Sequence, residues 1–156
     1  MCCRYIDDLC VPNGLNDFNR VYKEIYPECL VLEKTNVDRD RATFLDMDIS
    51  VVDGKFCTKL YDKRRDFDFK VLSLPNLRSN VPQNRSYSVF YSQIFRLCNV
   101  NTDLDSFCSD VKLLKSKLVR QNFKSFVLDK YITKFVRADH PCIYKFWQVL
   151  NVNMFK

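Results

Sequence analysis

The stretch FLDMDISVVDGKFCTKLYDK, residues 44–63, decides the predicted fold. Apolar and polar residues alternate over 44–52, which predicts a half-buried strand. Its apolar face carries Leu45, Met47, Ile49 and Val51, and its polar face carries Asp46, Asp48 and Ser50. Asp53-Gly54 provides the two positive-φ residues of a tight hairpin, so residues 55–63 are predicted to return as the partner strand. The outward face of a strand is sufficient to explain Asp46 and Asp48 as structural residues.

The chain before this hairpin predicts a short helix and one further strand. Four apolar residues recur at helical spacing between positions 15 and 26: Phe18, Val21, Tyr22 and Ile25. Pro27 ends this predicted helix. CLVLEK (29–34) predicts a strand, and TNVDRDRA (35–42) predicts a polar loop.

The chain after the hairpin predicts a loop-rich crossover over 64–82 and then helices. From Ser86 onward the apolar residues fall into three stripes of helical period. The stripes are Tyr87, Phe90, Tyr91, Ile94, Phe95 and Cys98; then Leu104, Phe107, Val111, Leu114 and Leu118; then Phe123, Val127, Tyr131 and Phe135. Thr102 and Asp105 fit a capping box for the second helix. A short last helix is expected over 142–150.

These elements predict an α+β fold. We expect a small antiparallel sheet with a helix packed on it, followed by a helical bundle. The expected divisions are 1–65 for the sheet-forming part, 66–85 for the connection and 86–156 for the helical part.

Composition excludes several classes of site. The chain has 156 residues with 2 Gly and 1 His. Two glycines cannot build a Gly-rich phosphate loop, and one histidine excludes a His-rich zinc site. The eight cysteines mostly lie in apolar runs, which favours reduced, structural thiols. A metal cluster of Cys2, Cys3 and Cys10, or of Cys142 with His140, is disfavoured by its spacing.

Charge is divided unevenly along the chain. Residues 1–54 carry 6 Lys/Arg and 11 Asp/Glu, a net charge of −5, whereas residues 55–156 carry 19 and 8, a net charge of +11. A basic segment with interleaved Tyr and Phe suits a polyanion such as nucleic acid. Solvated helix faces are the alternative explanation of the same charges.

The candidate for chemistry is Tyr5-Ile6-Asp7-Asp8. Two adjacent carboxylates in an apolar segment must be paired or bind a cation if they are buried. The flanks CCRY and LCVP predict the two strands of a hairpin with these residues at its tip. Paired carboxylates at such a tip are suited to Mg²⁺, although Asp-Asp pairs are also common on surfaces.

RYIDDLC (4–10) resembles the Tyr-x-Asp-Asp motif of reverse transcriptases, which lies on a hairpin of their palm domain. IYPECLVLEKTN and FLDMDISVVDGKFCTKLYDKRRDFDF are similar to the segment that follows this motif in eukaryotic retroelements, most of all Penelope-like ones. LPNLRSNVP and YSVFYSQIFRLCNV look like the connection and thumb of the same enzymes. The resemblance spans roughly residues 3–135.

This resemblance implies an RNA-directed DNA polymerase that binds Mg²⁺ through Asp7 and Asp8. Tyr5 would position the primer end or the incoming nucleotide. A basic group on the 55–65 hairpin would grip the primer backbone: Lys59, Lys63, Arg64 and Arg65. A thumb surface would face the template–primer duplex: Lys112, Lys115, Lys117, Arg120, Lys124, Lys130, Lys134 and Arg137. The implied partners are an RNA template and a primer duplex, with no membrane and no small-molecule cofactor. The implied location is the cell interior, and the family implies action in the nucleus.

The family also has a third essential Asp and a fingers region, both upstream of the tetrad. We therefore expect the isolated chain to be inactive in polymerisation, as a palm-and-thumb fragment. One alternative is a non-enzymatic module that binds nucleic acid through the basic helical half. The other is a structural domain that binds nothing.

Overall fold

The computed structural model describes residues 2–12, 14–36, 38–69, 74–138, 140–146 and 152–155. It confirms a mixed α+β chain. The strands are β1 Cys3–Tyr5, β2 Asp8–Cys10, β3 Arg41–Phe44, β4 Met47–Val52 and β5 Lys55–Leu60. The α-helices are α1 Leu15–Ile25, α2 Gln83–Val100, α3 Leu104–Val119 and α4 Ser125–Arg137. Short 3₁₀ helices cover Lys63–Asp66, Pro141–Phe146 and Val152–Phe155.

The described strands form two separate antiparallel sheets, β1-β2 and β3-β4-β5. The Asp53-Gly54 hairpin is confirmed, because Val52 pairs with Lys55 and both loop residues have positive φ, 50° at Asp53 and 73° at Gly54. This pair of left-handed residues matches the right-handed twist of the flanking strands. The hairpin is therefore specified by local sequence.

The predicted single strand over 44–52 is wrong in one respect. Leu45 and Asp46 form a second tight turn, since Phe44 pairs with Met47 and Leu45 has φ 56°. The segment before it, predicted to be a loop, provides Arg41 and Ala42 to β3. The alternating pattern did not indicate this turn, because Leu45 is apolar and in phase with the apolar residues of β4.

The strand predicted over 29–34 is also wrong. Residues 30–36 have no regular structure, and none of the described strands pairs with them. A strand needs a hydrogen-bonded neighbour, and apolar composition alone does not supply one. The helix predicted over 15–26 is confirmed as α1, although none of its side chains is buried.

The hydrophobic core lies in the helical half. Its buried members come from α2, α3, α4, the two last 3₁₀ helices and Phe123 in the loop between α3 and α4. Phe90, Phe107 and Phe135 are the largest of those that are almost fully enclosed. The three predicted stripes are confirmed as the faces that build this core.

One member of the first stripe is misplaced. Phe95 is 41% exposed, and its ring lies 5.5 Å from that of His140, whereas Leu97 and Val100 are buried instead. Near the C-terminal end of α2, the helix face that packs on the core is therefore rotated relative to the predicted face. The last predicted helix is a 3₁₀ helix over Pro141–Phe146, and residues 147–150 lie outside the described part.

The N-terminus of α3 is capped by Asp103, one residue after the predicted cap. Its carboxylate accepts a hydrogen bond from the backbone N–H of Ser106 at 2.8 Å. Thr102 instead joins the sheet, where its hydroxyl accepts from the backbone N–H of Thr58 at 2.9 Å. The bond from Ser106 lowers the pKa of Asp103.

We expect Asp103→Ala to lower the free energy of unfolding by about 1 kcal/mol, because the orphan N–H groups of α3 lose their acceptor. Asp103→Asn should cost much less, since asparagine caps almost as well. Because the folded-state pKa of Asp103 is depressed, its charge stabilises the fold above about pH 4 and ceases to do so as pH falls through the folded pKa. Urea unfolding of both variants at neutral and acidic pH measures this, and equal losses in the two variants would contradict it.

Polar contacts fix the three-stranded sheet to the helices. The Thr58 hydroxyl donates to the carbonyl of Val100, and the Arg96 guanidinium donates to Asp46 at 2.8 and 2.5 Å. On β4, Asp48 accepts two bonds from Arg41, at 3.0 and 2.6 Å. Both carboxylates thus have structural partners, which supports their structural interpretation.

Candidate active-site hairpin and nucleic-acid interface

The Tyr-Ile-Asp-Asp segment forms the tip of the β1-β2 hairpin. Tyr5 pairs with Asp8, so Ile6 and Asp7 are the two loop residues, and Ile6 has φ 51°. The Arg4 guanidinium closes the turn by donating to the carbonyl of Ile6 at 3.0 Å, and it lies 5.5 Å from the ring of Tyr26. The hairpin expected from the sequence is therefore formed, with its tip held by Arg4.

Both carboxylates of the hairpin are exposed. Asp8 lies directly opposite Tyr5, so these two side chains share one face of the ribbon. Burial therefore does not force either carboxylate to pair with a cation, because neither group is buried. What the structure supplies is a pair of accessible carboxylates beside an exposed tyrosine.

A groove of about 1100 Å³ runs along the hairpin tip. Asp7 and Asp8 line one side of it, and the start of α1, residues 31–36 and the β3-β4 turn line the others. Lys63 lines the same groove. The two carboxylates therefore line the same groove as one of the cations that the resemblance assigned to the primer backbone.

The described residues contain no cluster of three or more His, Cys, Asp or Glu side chains arranged for a metal ion. Asp7 and Asp8 are thus a two-carboxylate set. Mg²⁺ prefers six oxygens in octahedral geometry and usually keeps several waters. Two exposed carboxylates fit such a hydrated ion, with weak affinity because they provide only part of its coordination shell.

The basic residues predicted on the 55–65 hairpin differ in their charged neighbours. Lys59 lies opposite Asp48 in the sheet. Arg64 donates to the Asp62 carboxylate at 2.6 and 3.0 Å, and the Asp62 pKa is lowered chiefly by this contact. Arg64 is therefore already paired, and the side chain of Arg65 lies outside the described part. Lys63 is the exposed cation of this group that faces the groove.

Two of the eight predicted thumb cations are engaged in internal ion pairs. Lys115 joins α3 to α4 through Asp129 at 2.5 Å, and only 18% of its side chain is exposed. Lys117 lies 3.8 Å from Asp62. The other six have exposed side chains: Lys112, Arg120, Lys124, Lys130, Lys134 and Arg137.

Three of these cations share one face of α4 with an exposed aromatic ring. Phe126, Lys130, Lys134 and Arg137 follow one another at spacings of four, four and three, and we name them the α4 row. Phe126 is 59% exposed, with the Lys130 ammonium 5.7 Å from its ring centre. Lys134 lies 5.5 Å from the ring of Tyr91 on α2. Phe126 was missed by the sequence analysis, although its helical phase with Lys130 and Lys134 would have revealed it.

Lys145 has a different position from these surface cations. Its ammonium donates to the carbonyl of Asn101 at 2.5 Å, next to the C-terminal end of α2, and burial lowers its pKa. This contact gives the Asn101 carbonyl a hydrogen-bond donor and places a positive charge near the negative end of the α2 dipole. Lys145 is thus a structural cation.

Comparison with protein-family models, curated proteins and solved structures finds no match. No helix in the described part has the length and apolar character required to cross a membrane.

Proposed function

We propose that this chain is the distal palm and thumb part of an RNA-directed DNA polymerase of the reverse-transcriptase kind. The observation that carries the proposal is the groove that Asp7, Asp8 and Lys63 all line. A copying enzyme needs carboxylates for the metal and cations for the sugar–phosphate backbone, and this groove holds both. The Tyr-Ile-Asp-Asp resemblance and the hairpin geometry support the same assignment.

In this proposal the two carboxylates, Tyr5 of the hairpin and Lys63 of the groove have separate roles. Asp7 and Asp8 hold Mg²⁺, which, when bound, supplies charge neutralisation for nucleotidyl transfer. Tyr5, on the same face of the ribbon as Asp8, contacts the primer end or the incoming nucleotide. Lys63 contacts a backbone phosphate, which is independent of base sequence as template copying requires.

Binding of a divalent ion at the hairpin tests the proposal. We use Mn²⁺ as the paramagnetic substitute for Mg²⁺ and expect selective broadening of amide signals from residues 5–9 in a ¹⁵N spectrum. Asp7→Asn/Asp8→Asn should abolish that broadening, because the carboxylates supply the only protein ligands in the proposal. Asp38→Asn/Asp40→Asn removes the same charge from two other exposed acidic residues and should leave it unchanged. Equal broadening in both double variants would reject the metal assignment.

The proposal also predicts no primer extension by the isolated chain. Two carboxylates do not organise two metal ions, and the described residues bring no third one to them. Incubation with Mg²⁺, deoxynucleotides and a primed RNA template measures this directly. Extension that disappears in Asp7→Asn would show that the isolated chain is a complete catalyst and would overturn the prediction.

A second candidate function is binding of nucleic acid without catalysis. The α4 row favours it, because three exposed cations beside an exposed aromatic ring suit phosphates and an unstacked base. In this case affinity for an RNA–DNA duplex or a single strand falls steeply with salt and is unchanged in Asp7→Asn. Undetectable binding at low salt would favour a structural domain that binds no nucleic acid.

A further inference from the structure

Two thiols face each other across the carboxylate hairpin. Cys3 on β1 pairs directly with Cys10 on β2, two positions from the Tyr5–Asp8 pair. Both are free; Cys3 is exposed and Cys10 is half-buried. Cys2, also exposed, immediately precedes β1.

The register fixes how close these thiols can come. Tyr5 and Asp8 close a two-residue loop and are therefore a hydrogen-bonded pair. Pairs alternate along an antiparallel ribbon, so Cys3 and Cys10 form the same type of pair, with Cα atoms about 5.5 Å apart. A disulfide requires Cα atoms within about 4.4–6.8 Å. Side chains of directly opposed residues lie on one face, so the two sulfur atoms point the same way.

The surrounding packing permits the closing movement that a bond needs. Opposed Cβ atoms of a hydrogen-bonded pair lie at the long end of the range in a sheet, about 5.5 Å, and must approach to about 3.8 Å in a disulfide. β1 has no buried side chain, and the hairpin consists of two strands only. A ribbon of this kind deforms easily, because no core resists the shift.

We propose that Cys3 and Cys10 are a redox-active thiol pair that a peroxide converts to a disulfide across the hairpin. The Cys3 thiolate attacks one peroxide oxygen, the O–O bond breaks, and Cys3 becomes a sulfenic acid while hydroxide leaves. The Cys10 thiolate then attacks the sulfur of Cys3, the S–S bond forms, and the sulfenic oxygen leaves as water after taking a proton. Two thiols lose two electrons, and the peroxide gains them and becomes two waters.

Exposure assigns the first step to Cys3 and distinguishes this pair from the other cysteines. Cys98 and Cys142 also lie together, with the Cys98 thiol 3.1 Å from the Cys142 carbonyl, but Cys98 is completely buried. Cys57 on β5 is half-buried in a strand, as Cys10 is, yet Ser50 lies opposite it. Cys57 is therefore an internal control for a strand cysteine without a facing thiol.

The disulfide would lock the register that places Tyr5 opposite Asp8. It closes a short loop that contains both carboxylates and leaves the helical core untouched. The modification therefore acts on the hairpin alone.

The test uses the full chain, reduced and then exposed to hydrogen peroxide at neutral pH. We expect the loss of two hydrogens from the intact mass, two fewer of the eight thiols reacting with N-ethylmaleimide after denaturation, and a Cys3–Cys10-linked peptide on mapping. Dithiothreitol should reverse all three changes. Cys2→Ser and Cys57→Ser should form the same link, whereas Cys3→Ser and Cys10→Ser should not.

Three outcomes would overturn the proposal. One is a link through Cys2 or Cys29 in the wild-type map, and another is the buried Cys98–Cys142 pair linking first. The third is over-oxidation of Cys3 to the sulfinic acid with Cys10 still reduced. Peptide mapping of the wild-type chain decides among them without relying on the folding of any variant.

Discussion

Phe135→Ala is expected to lower the free energy of unfolding by about 3–5 kcal/mol, the range found for removing a buried phenylalanine side chain. Phe135 on α4 is completely buried. Its ring lies 5.8 Å from that of Tyr91, 6.3 Å from that of Phe107 and 5.4 Å from that of His140. Truncation therefore leaves a cavity between α2, α3 and the segment around His140, and the dispersion contacts of three rings are lost with it.

Phe126→Ala on the same helix is the matched control. The same atoms are removed, but Phe126 is 59% exposed, so the change in unfolding free energy should stay within about 0.5 kcal/mol. Urea unfolding followed by circular dichroism at the helix band measures both variants. Similar losses in the two would mean that the core is not organised around Phe135.

Reversing the charges of the α4 row is expected to reduce nucleic-acid affinity by about tenfold or more at low salt. The variant is Lys130→Glu/Lys134→Glu/Arg137→Glu, and all three side chains are exposed. Each lost phosphate contact also reduces the steepness of the slope of log K against log salt concentration, by about 0.9 for a duplex and about 0.7 for a single strand. Three lost contacts should therefore be visible in both the affinity and the slope.

A control variant with the same change in net charge distinguishes the effect of a local interface from the effect of the overall charge of the protein. Arg20→Glu/Lys23→Glu/Lys34→Glu changes net charge by the same amount on the acidic front of the chain, where the three side chains are also exposed. We expect little change in the slope for this variant. Fluorescence anisotropy with a labelled RNA–DNA duplex over a salt series measures both. If the two triple variants lose affinity equally, binding does not depend on the α4 row.

The parts of the fold that depend on near neighbours in sequence are predictable. Asp53-Gly54 specifies its own turn, and the helical stripes specify which faces meet in the core. The tip formed by Ile6 and Asp7 is likewise local, so the candidate hairpin is anticipated from the tetrad and its flanks. In these places the residues that determine the structure are contiguous.

The misplaced elements depend on distant partners. Thr102 was predicted to cap α3, but Thr58, 44 residues away, engages Thr102, and Asp103 caps the helix instead. β3 exists because β4 pairs with it, although its first two residues, Arg41 and Ala42, were predicted as part of a polar loop. Ion pairing also alters the predicted site: Lys115 pairs with Asp129 on the next helix, whereas Arg64 pairs with its near neighbour Asp62, and charge counts identify neither pair.

The absence of buried side chains in β1 and α1 has a consequence for how this chain accumulates mutations. Substitutions there leave the core around Phe107 and Phe135 unchanged, so they escape the selection that folding imposes on α2, α3 and α4. Asp7 in the hairpin turn and Asp8 on β2 are exposed as well, so either can be lost in a chain that still folds. Retention of Tyr-Ile-Asp-Asp in a lineage would therefore report continued use of the hairpin, separately from any pressure to remain folded.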